Sequence, residues 1–202
     1  MEFEGKESHE QTVLRLFKDC DALLQGHFQL TSGRHSGWYF DKIKLIEKPA
    51  ALKKIVDLLV EKIRADKLDF GYVVSPAYGA IAIGFLTALK LGKDFAFTQR
   101  TDEKMILRSG FAGLSRARAI IVEDILTTGG SIREVIACLK EKDVKLAGIY
   151  VLVDRSAGAV TIDGQPVASL LSLKVEDFEP QNCPFCKAGL PLTKPGASGK
   201  KL

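Results

Sequence analysis

One stretch of the chain decides its fold: Val122-Glu123-Asp124-Ile125-Leu126-Thr127-Thr128-Gly129-Gly130-Ser131. An apolar run from Ala119 precedes it, and a helical pattern that ends near Lys142 follows it. Two carboxylates therefore stand at the carboxyl end of a strand, and residues 127–131, the phosphate loop, lead into a helix. Glycines let a backbone fold tightly around an anion, and the hydroxyls and free amides of a helix start donate to phosphate oxygens. The acids are suited to hold ribose hydroxyls, or Mg²⁺, beside that phosphate.

A glycine-rich loop between a strand and a helix is common to many phosphate sites. This loop lacks the lysine of the nucleoside-triphosphate loop and the Gly-x-Gly-x-x-Gly spacing of dinucleotide folds. The acidic pair directly before Thr-Thr-Gly-Gly-Ser is more restrictive. Its structural alternative is a helix N-cap with two solvated acids.

Apolar runs alternate with helical patterns on both sides of this stretch. We predict strands over 70–74, 95–98, 119–125, 147–153 and 168–173, with helices over 80–91 and from the phosphate loop to about 142. Strands without polar alternation, separated by helices, indicate a parallel sheet covered on both faces. Ligands bind such sheets at the carboxyl ends of the strands. Three polar loops, 75–79, 100–118 and 124–131, follow strands there, which favours an enzyme.

The amino-terminal part has a different pattern. Residues 10–25 carry one apolar helical stripe, for which Gly26 is the predicted stop. Residues 28–41 predict a hairpin around a turn at Ser32-Gly33, and Pro49 opens a helix that covers 52–63.

Composition limits the possible partners. The 202 residues suit one domain with a small appendage. No stretch reaches the roughly 18 to 20 apolar residues of a membrane-spanning helix, and the charged start has no signal core, so we expect a cytoplasmic protein without a membrane partner. The net charge of +4 is spread along the chain without a dense basic run, which favours a small polyanion over nucleic acid.

Four cysteines are too few and too scattered for a disulfide scaffold. Cys20 and Cys138 fall in helical patterns, as small buried hydrophobes do. Cys183 and Cys186 form one Cys-x-x-Cys pair, which cannot supply four zinc ligands alone. We favour a structural role for it and leave a metal shared between subunits, or a redox role, as alternatives. The histidines are not at nucleophile or metal spacing, so none is nominated: His9, His27 and His35.

Two motifs carry a resemblance to a known family. The 122–131 stretch resembles the donor-binding signature of type I phosphoribosyltransferases, in which two acids precede a Thr/Gly-rich phosphate loop. Phe28-x-Leu30-x-Ser32-Gly33-Arg34-x-Ser36-x-x-Tyr39-Phe40 is similar to the amino-terminal motif of orotate phosphoribosyltransferases. Pro76-Ala77-Tyr78 and Asp154-Arg155 match in the expected order, over about residues 10 to 175. The ending from Cys183 to Gly196 is similar to tails in a bacterial and archaeal branch of that family.

The resemblance implies a fold and a reaction. The fold is α/β: a type I phosphoribosyltransferase-like parallel sheet with helices on both faces and a small amino-terminal hood. Residues 1–48 would form the helix and hood hairpin, 49–180 the core, and 181–202 a tail whose end lacks structure. The reaction moves phosphoribosyl from 5-phospho-α-D-ribose 1-diphosphate, the donor, to orotate, which gives orotidine 5′-phosphate and pyrophosphate in pyrimidine biosynthesis. Mg²⁺ would be held mainly through the donor. A homodimer is implied, because in the family the lid of one subunit reaches the neighbour's site.

The resemblance also implies roles for single residues. Glu123 and Asp124 would bind the ribose hydroxyls, with Asp124 the side chain able to reach Mg²⁺. The backbone after them would bind the donor: Ile125, Leu126, Thr127, Thr128, Gly129, Gly130 and Ser131. Tyr78, Arg100 and Lys104 would also contact the donor, with Lys104 and Asp124 as the catalytic residues. The orotate contacts would be Thr127, Arg155, Tyr39 and Phe40.

Several positions depart from the family pattern. Thr31 stands where many members have a donor-binding lysine, and Gly79 where a basic residue is common. Thr101 and Ile106 replace the lysine and histidine of the lid, the span 101–117, and Arg108 is a candidate to compensate. These departures leave open which cations bind the pyrophosphate.

Specific roles are expected of Lys104 and Arg155. Lys104 is expected to stabilise the leaving pyrophosphate, and Arg155 to bind the orotate carboxylate in a bidentate fork. The alternative for Arg155 is a surface ion pair with Asp154. A purine phosphoribosyltransferase would share the phosphate loop but lack the 28–40 motif. A donor-binding regulator would carry a DNA-binding module or a broad basic surface. A fused orotidylate decarboxylase is excluded by length.

Overall fold

The computed structural model describes residues 8–102 and 104–195, without the side chain of Ala112. Residues 1–7 and the end of the tail, 196–202, lie outside the described ranges. The expectation that the end of the tail lacks structure therefore concerns residues that are not described. The helices are α1 (His9–Asp19), α2 (Lys42–Ile46), α3 (Pro49–Ala65), α4 (Ile81–Leu91), α5 (Gly130–Lys140) and α6 (Pro184–Lys187). The strands are β1 (Leu23–Gln29), β2 (His35–Phe40), β3 (Tyr72–Pro76), β4 (Asp94–Thr101), β5 (Lys104–Leu107), β6 (Arg118–Leu126), β7 (Lys145–Asp154), β8 (Ala168–Ser172) and β9 (Asp177–Phe178).

A six-stranded sheet with the order β5-β4-β3-β6-β7-β8 forms the centre of the molecule. All neighbours pair in parallel except β4 and β5. Strand β6 is apolar on both faces because both are covered. Ile120 and Val122 pack in the core under α1, α3 and α4, whereas Ile121 packs in a second core under α5. The predicted α/β class, with helices on both faces, is confirmed.

The sheet register places the polar loops side by side. Leu126, the last residue of β6, pairs with Asp154, the last of β7. The phosphate loop therefore begins beside Arg155, whose amide donates to the Leu126 carbonyl oxygen (2.9 Å). Two distant parts of the sequence thus meet at one end of the sheet, where parallel strands bind ligands.

The hood is a three-stranded antiparallel sheet, β1-β2-β9. Its predicted hairpin is confirmed: Gly33 has a φ of +82° in the turn, a conformation that favours glycine. Arg34 then joins the turn to β9 through an ion pair of its Nε with Asp177 Oδ1 (2.6 Å). Strand β9 lies within residues 49–180, the range predicted for the core domain, although it pairs with the hood. The predicted domain boundaries at residues 48 and 180 stay a prediction.

The first helix is shorter than predicted, and Gly26 is not its stop. Helix α1 ends at Asp19, and Asp21 has a φ of +55°. Leu23 and Leu24 belong instead to β1, where they pair with Phe40 and Tyr39. The prediction was wrong because leucines spaced three and four residues apart fit a helix as well as the start of a half-buried strand.

The lid is more ordered than the sequence suggested. Strand β5 within it pairs antiparallel with β4, from Thr98 opposite Leu107 to Thr101 opposite Lys104. A 3₁₀ turn follows at Ala112–Leu114, and Leu114 is fully buried in the core under α5. Leu114 thus anchors the end of the lid to the core. In the described ranges, no helix has both the length and the apolar character to cross a bilayer.

Candidate active site

The phosphate loop forms the floor of a cavity at the carboxyl end of β6. The cavity has a volume of about 270 Å³, and Arg100, Glu123, Glu134 and the backbone of residues 125–132 line it. Helix α5 begins at Gly130 without a side-chain cap, so its first amides have no side-chain acceptor. Uncapped amides at a helix start, together with the helix dipole, favour an anion.

Gly129 is the residue that gives the loop its shape. Its φ is +80°, and a Cβ atom there would overlap the Cδ1 atom of Ile162. The loop can therefore turn into α5 only with glycine at this position.

We expect Gly129→Ala to lower the free energy of unfolding by about 1 to 3 kcal/mol, through the left-handed φ and the overlap with Ile162. Gly130→Ala is the matched control, because it lies in the helix and its Cβ would have Thr128 Oγ1 as its nearest neighbour, at 3.9 Å. Urea unfolding of both variants measures the difference. Equal stability of the two would show that the loop tolerates a side chain at 129.

The acidic pair is buried rather than solvated. Glu123 and Asp124 are 6% and 4% exposed, so the alternative of solvated acids at a helix N-cap was wrong. Glu123 Oε1 accepts from the Asp124 amide (2.9 Å), and Asp124 Oδ1 accepts from the Ile125 amide (2.6 Å). Burial, and then the charge of Asp124, raise the pKa of Glu123 well above its usual range. Two buried carboxylates without a ligand are costly to ionise together.

We expect Glu123→Gln to become more stable relative to the wild type as the pH rises. The folded-state pKa of Glu123 is raised, so its contribution to stability is fully present below the unfolded pKa of about 4.3 and is lost as the pH rises through the folded pKa. Glutamine keeps the oxygen that accepts from Asp124 but cannot ionise. Thermal unfolding of both proteins from acid to neutral pH measures this, and a difference independent of pH would contradict it.

A lysine that sequence reasoning missed completes the acidic pair. Lys42, at the start of α2, forms an ion pair with Asp124 (Nζ to Oδ2, 2.7 Å). Although burial opposes its charge, Asp124 and Glu123 raise the pKa of Lys42, so its ammonium stays charged. A Cβ at Gly79 would lie 2.5 Å from the Lys42 Cδ atom. The Lys42 side chain therefore fills the space above Gly79, the position that lacks the family's basic residue.

Arg155, directly after β7, is a candidate ligand-binding cation. It is partly buried, and its Nε atom has no hydrogen-bond partner among the described residues. Burial lowers its pKa, against the charge of Asp177. The predicted alternative, an ion pair with Asp154, is absent from the described residues. Asp154 instead accepts from the amides of Ser156 (2.7 Å) and Gly158 (2.8 Å) and shapes the loop after β7.

Tyr39 and Phe40 cannot both face one ligand, because neighbours on a strand point to opposite faces. Phe40 is 6% exposed and packs edge-to-face on Phe17 in the core (ring centroids 5.8 Å apart). The Phe40 ring therefore belongs to the core, and the assignment of this residue to the orotate site stays a prediction. Tyr39 is half-buried, lines a cleft with Thr31 and Gly33, and its pKa is raised by burial and by Asp41, against the charge of Lys42.

The remaining predicted donor residues are mostly exposed, and only some of them line the phosphate cavity. Arg100 lines the phosphate cavity and forms an ion pair with Glu134 of α5. Thr127, Thr128 and Ser131 are exposed toward solvent. Tyr78 is 84% exposed on the loop after β3, and Lys104 is exposed at the start of β5. Lys104 is not among the residues that line the phosphate cavity of its own chain.

Comparisons with known proteins give one family. The model of the phosphoribosyl transferase domain matches residues 43–181. A protein of Caldicellulosiruptor bescii named orotate phosphoribosyltransferase is 38% identical over 95% of this chain and all of its own length. One of the same name from Carboxydothermus hydrogenoformans is 39% identical over 92% of this chain and 96% of its own.

Solved structures agree on the fold. The orotate phosphoribosyltransferase of Aeropyrum pernix has a TM-score of 0.64 and 26% identity, over 80% of this chain and 94% of its own. An adenine phosphoribosyltransferase of Thermoanaerobacter pseudethanolicus has a TM-score of 0.56 and 18% identity, over 67% and 88%. The second is similar in fold alone.

Proposed function

The chain belongs to the orotate phosphoribosyltransferases of the phosphoribosyltransferase family, and we propose that it transfers phosphoribosyl from 5-phospho-α-D-ribose 1-diphosphate to orotate. The products are orotidine 5′-phosphate and pyrophosphate, in pyrimidine biosynthesis. The observation that carries the proposal for the site is the unpaired Nε of Arg155 beside a phosphate loop with buried acids. A cytoplasmic location stays a prediction from the sequence.

The donor is proposed to bind with its 5-phosphate on the amides of the phosphate loop. The uncapped start of α5 and the volume of the cavity support this position. Glu123, which lines that cavity, and its neighbour Asp124 would accept hydrogen bonds from the ribose hydroxyls. A bound donor would thus supply the hydrogen-bond donors that the two buried carboxylates need.

Mg²⁺ is proposed to bind with the donor, and the chemistry of the site fits it. Hard carboxylate oxygens suit this ion, and Asp124 Oδ2, held by Lys42, is the side-chain atom best placed to reach it. When bound, the ion would neutralise charge that develops on the pyrophosphate.

Orotate is proposed to lie between the phosphate loop and Arg155. The Arg155 fork would hold the orotate carboxylate, Thr127 would donate to the ring, and Tyr39 would flank it. The deprotonated ring nitrogen then bonds to ribose C1 as the bond from C1 to the pyrophosphate oxygen breaks, and pyrophosphate leaves with the electron pair. Positive charge on the ribose ring builds as in glycoside hydrolysis, so the site mainly positions and stabilises charge.

Lys42 is proposed to replace the basic residue that the family pattern has at the position of Gly79. Its ammonium is charged and stands beside the acids that would bind the ribose, so it can turn toward the pyrophosphate once Mg²⁺ and the donor are bound.

We expect Lys42→Ala to raise the KM for the donor by about tenfold, as the loss of one charge-assisted hydrogen bond does. Lys44→Ala is the matched control, because Lys44 lies on the same short helix but is paired with Glu47 (3.0 Å) away from the acids. Steady-state kinetics at saturating orotate measure both. An unchanged donor KM in Lys42→Ala would restrict Lys42 to a structural role.

Turnover itself separates an enzyme from a protein that only binds the donor. The purified chain is mixed with donor and orotate, and pyrophosphate is measured with Mg²⁺ and with excess chelator. We expect release that requires orotate, stops with the chelator and returns with added Mg²⁺. Donor binding without pyrophosphate release would support the regulator instead.

A further inference from the structure

Four potential metal ligands converge in the hood, apart from the phosphate cavity. His27 lies on β1, His35 on β2, and Cys183 and Cys186 at the start of α6. Their ligand atoms all lie within 4.8 Å of one another, and all but Cys186 are buried. The sequence-based decision to nominate none of the histidines was therefore wrong for His27 and His35, which lie beside the cysteine pair.

The distances between these atoms resemble the edges of a tetrahedron. His27 Nε2 lies 3.5 Å from Cys183 Sγ and 3.6 Å from Cys186 Sγ, and His35 Nδ1 lies 3.3 Å from Cys186 Sγ. The two nitrogens are 3.0 Å apart. Bonds of about 2.0 Å to nitrogen and about 2.3 Å to sulfur at tetrahedral angles give edges of about 3.3 Å for N···N and about 3.5 Å for N···S.

The surroundings orient His27 as a ligand. Its Nδ1 lies 2.9 Å from the Leu190 carbonyl oxygen, which can only accept, so Nδ1 carries the proton. The lone pair of Nε2 then points toward both sulfur atoms. Such a hydrogen bond to a backbone carbonyl is a common outer contact of metal-bound histidine. A single hydrogen bond from His35 to His27 would explain the N···N distance, but not two sulfur atoms against the same nitrogen.

We propose that His27 Nε2, His35 Nδ1, Cys183 Sγ and Cys186 Sγ bind one Zn²⁺ in a closed structural site. Both thiols release their protons to solvent on binding, so two thiolates and two neutral imidazoles leave the complex without net charge. A neutral complex suits a mostly buried position. Four protein ligands leave no position for substrate, so the site has a structural rather than a catalytic role.

The ion would join the tail to the hood. Cys183 and His27 are 156 residues apart, and around them the tail already pairs with β1: the amides of Gln29 and Thr193 donate to Thr193 and His27 carbonyl oxygens (2.9 and 2.8 Å). The Phe185 ring covers Gly37, where a Cβ would lie 2.7 Å from it. Metal bonds that close a long loop stabilise the small hood sheet, on which Tyr39 lies.

Metal analysis of the full chain, purified without chelators, tests the proposal. We expect about one Zn²⁺ per chain, lost in Cys186→Ser, whose side chain is exposed and whose replacement leaves the fold intact. Cys138→Ser is the matched control, since the Cys138 thiol on α5 donates to the Met105 carbonyl oxygen of β5 (3.0 Å), as a serine hydroxyl can. It should keep its zinc.

Two measurements on the unmodified chain keep the test independent of the variants. Co²⁺ added to the chelator-treated protein should give the visible absorption of a tetrahedral thiolate complex, and Zn²⁺ should displace it. Removal of zinc should lower the thermal midpoint of the wild type but not that of Cys186→Ser. Two results on a folded chain without metal would overturn the proposal: four reduced cysteines with Co²⁺ left unbound, or a Cys183–Cys186 disulfide found by mass spectrometry.

Discussion

Replacing Lys104 with alanine is expected to lower kcat by roughly 100- to 1,000-fold, the usual effect of removing one group that stabilises a developing negative charge. The affinity for orotate should change little, because the ammonium would act on the departing pyrophosphate rather than on the base. Stopped-time assays at saturating donor and orotate measure the effect. Wild-type turnover in Lys104→Ala would exclude Lys104 from the reaction.

A matched control and a mixing experiment sharpen this prediction. Lys145→Ala removes an exposed lysine from the start of β7, at the opposite end of the sheet, and should keep full activity. Since Lys104 does not line the phosphate cavity of its own chain, we propose that it serves the partner's site in a homodimer. Mixing Lys104→Ala chains with inactive Arg155→Ala chains should then restore activity, because one site of the mixed dimer has both residues. If each site takes Lys104 and Arg155 from the same chain, mixing would restore no activity.

Arg155→Lys is expected to raise the KM for orotate by roughly 10- to 100-fold while the KM for the donor stays close to that of the wild type. Lysine keeps the charge but cannot form two parallel hydrogen bonds with the orotate carboxylate. Steady-state kinetics with each substrate varied in turn separate the two constants. An unchanged orotate KM would remove Arg155 from the acceptor site.

Arg118→Lys is the control for that substitution. Arg118 lies at the first residue of β6, where its Nε donates to the Asp69 carbonyl oxygen (2.8 Å) far from the phosphate loop. Its replacement tests whether loss of a guanidinium anywhere on the sheet affects orotate binding. We expect kinetics equal to those of the wild type.

The sequence predicted the sheet and the phosphate loop well because these depend on local patterns. A buried parallel strand needs an unbroken apolar run, as at residues 119–125, and the turn into α5 needs Gly129 for its positive φ. The sequence also predicted that Arg155 lies near the phosphate loop, since parallel strands end at the same edge of a sheet. Where apolar spacing fitted two structures, as at Leu23 and Leu24, the prediction was wrong.

Contacts between distant segments could not be predicted from spacing. Lys42 directly follows the hood motif in the sequence. Its side chain reaches Asp124 because Gly79, which is distant in the sequence, has no side chain and leaves room for it. His27 and His35 reach the two cysteines because the tail folds back onto β1, and no local pattern encodes that return. The available signal was a Cys-x-x-Cys pair near the end of the chain, with His35 in the predicted hairpin and His27 directly before it.

Identification of the nucleotide product tests the central claim most directly. The chain is incubated with donor, Mg²⁺ and equal amounts of orotate, hypoxanthine, adenine and uracil, and the products are identified by mass spectrometry. The account predicts orotidine 5′-phosphate, with pyrophosphate in equal amount. A purine nucleotide or uridine 5′-phosphate formed from its free base, with orotate left unconsumed, would contradict it.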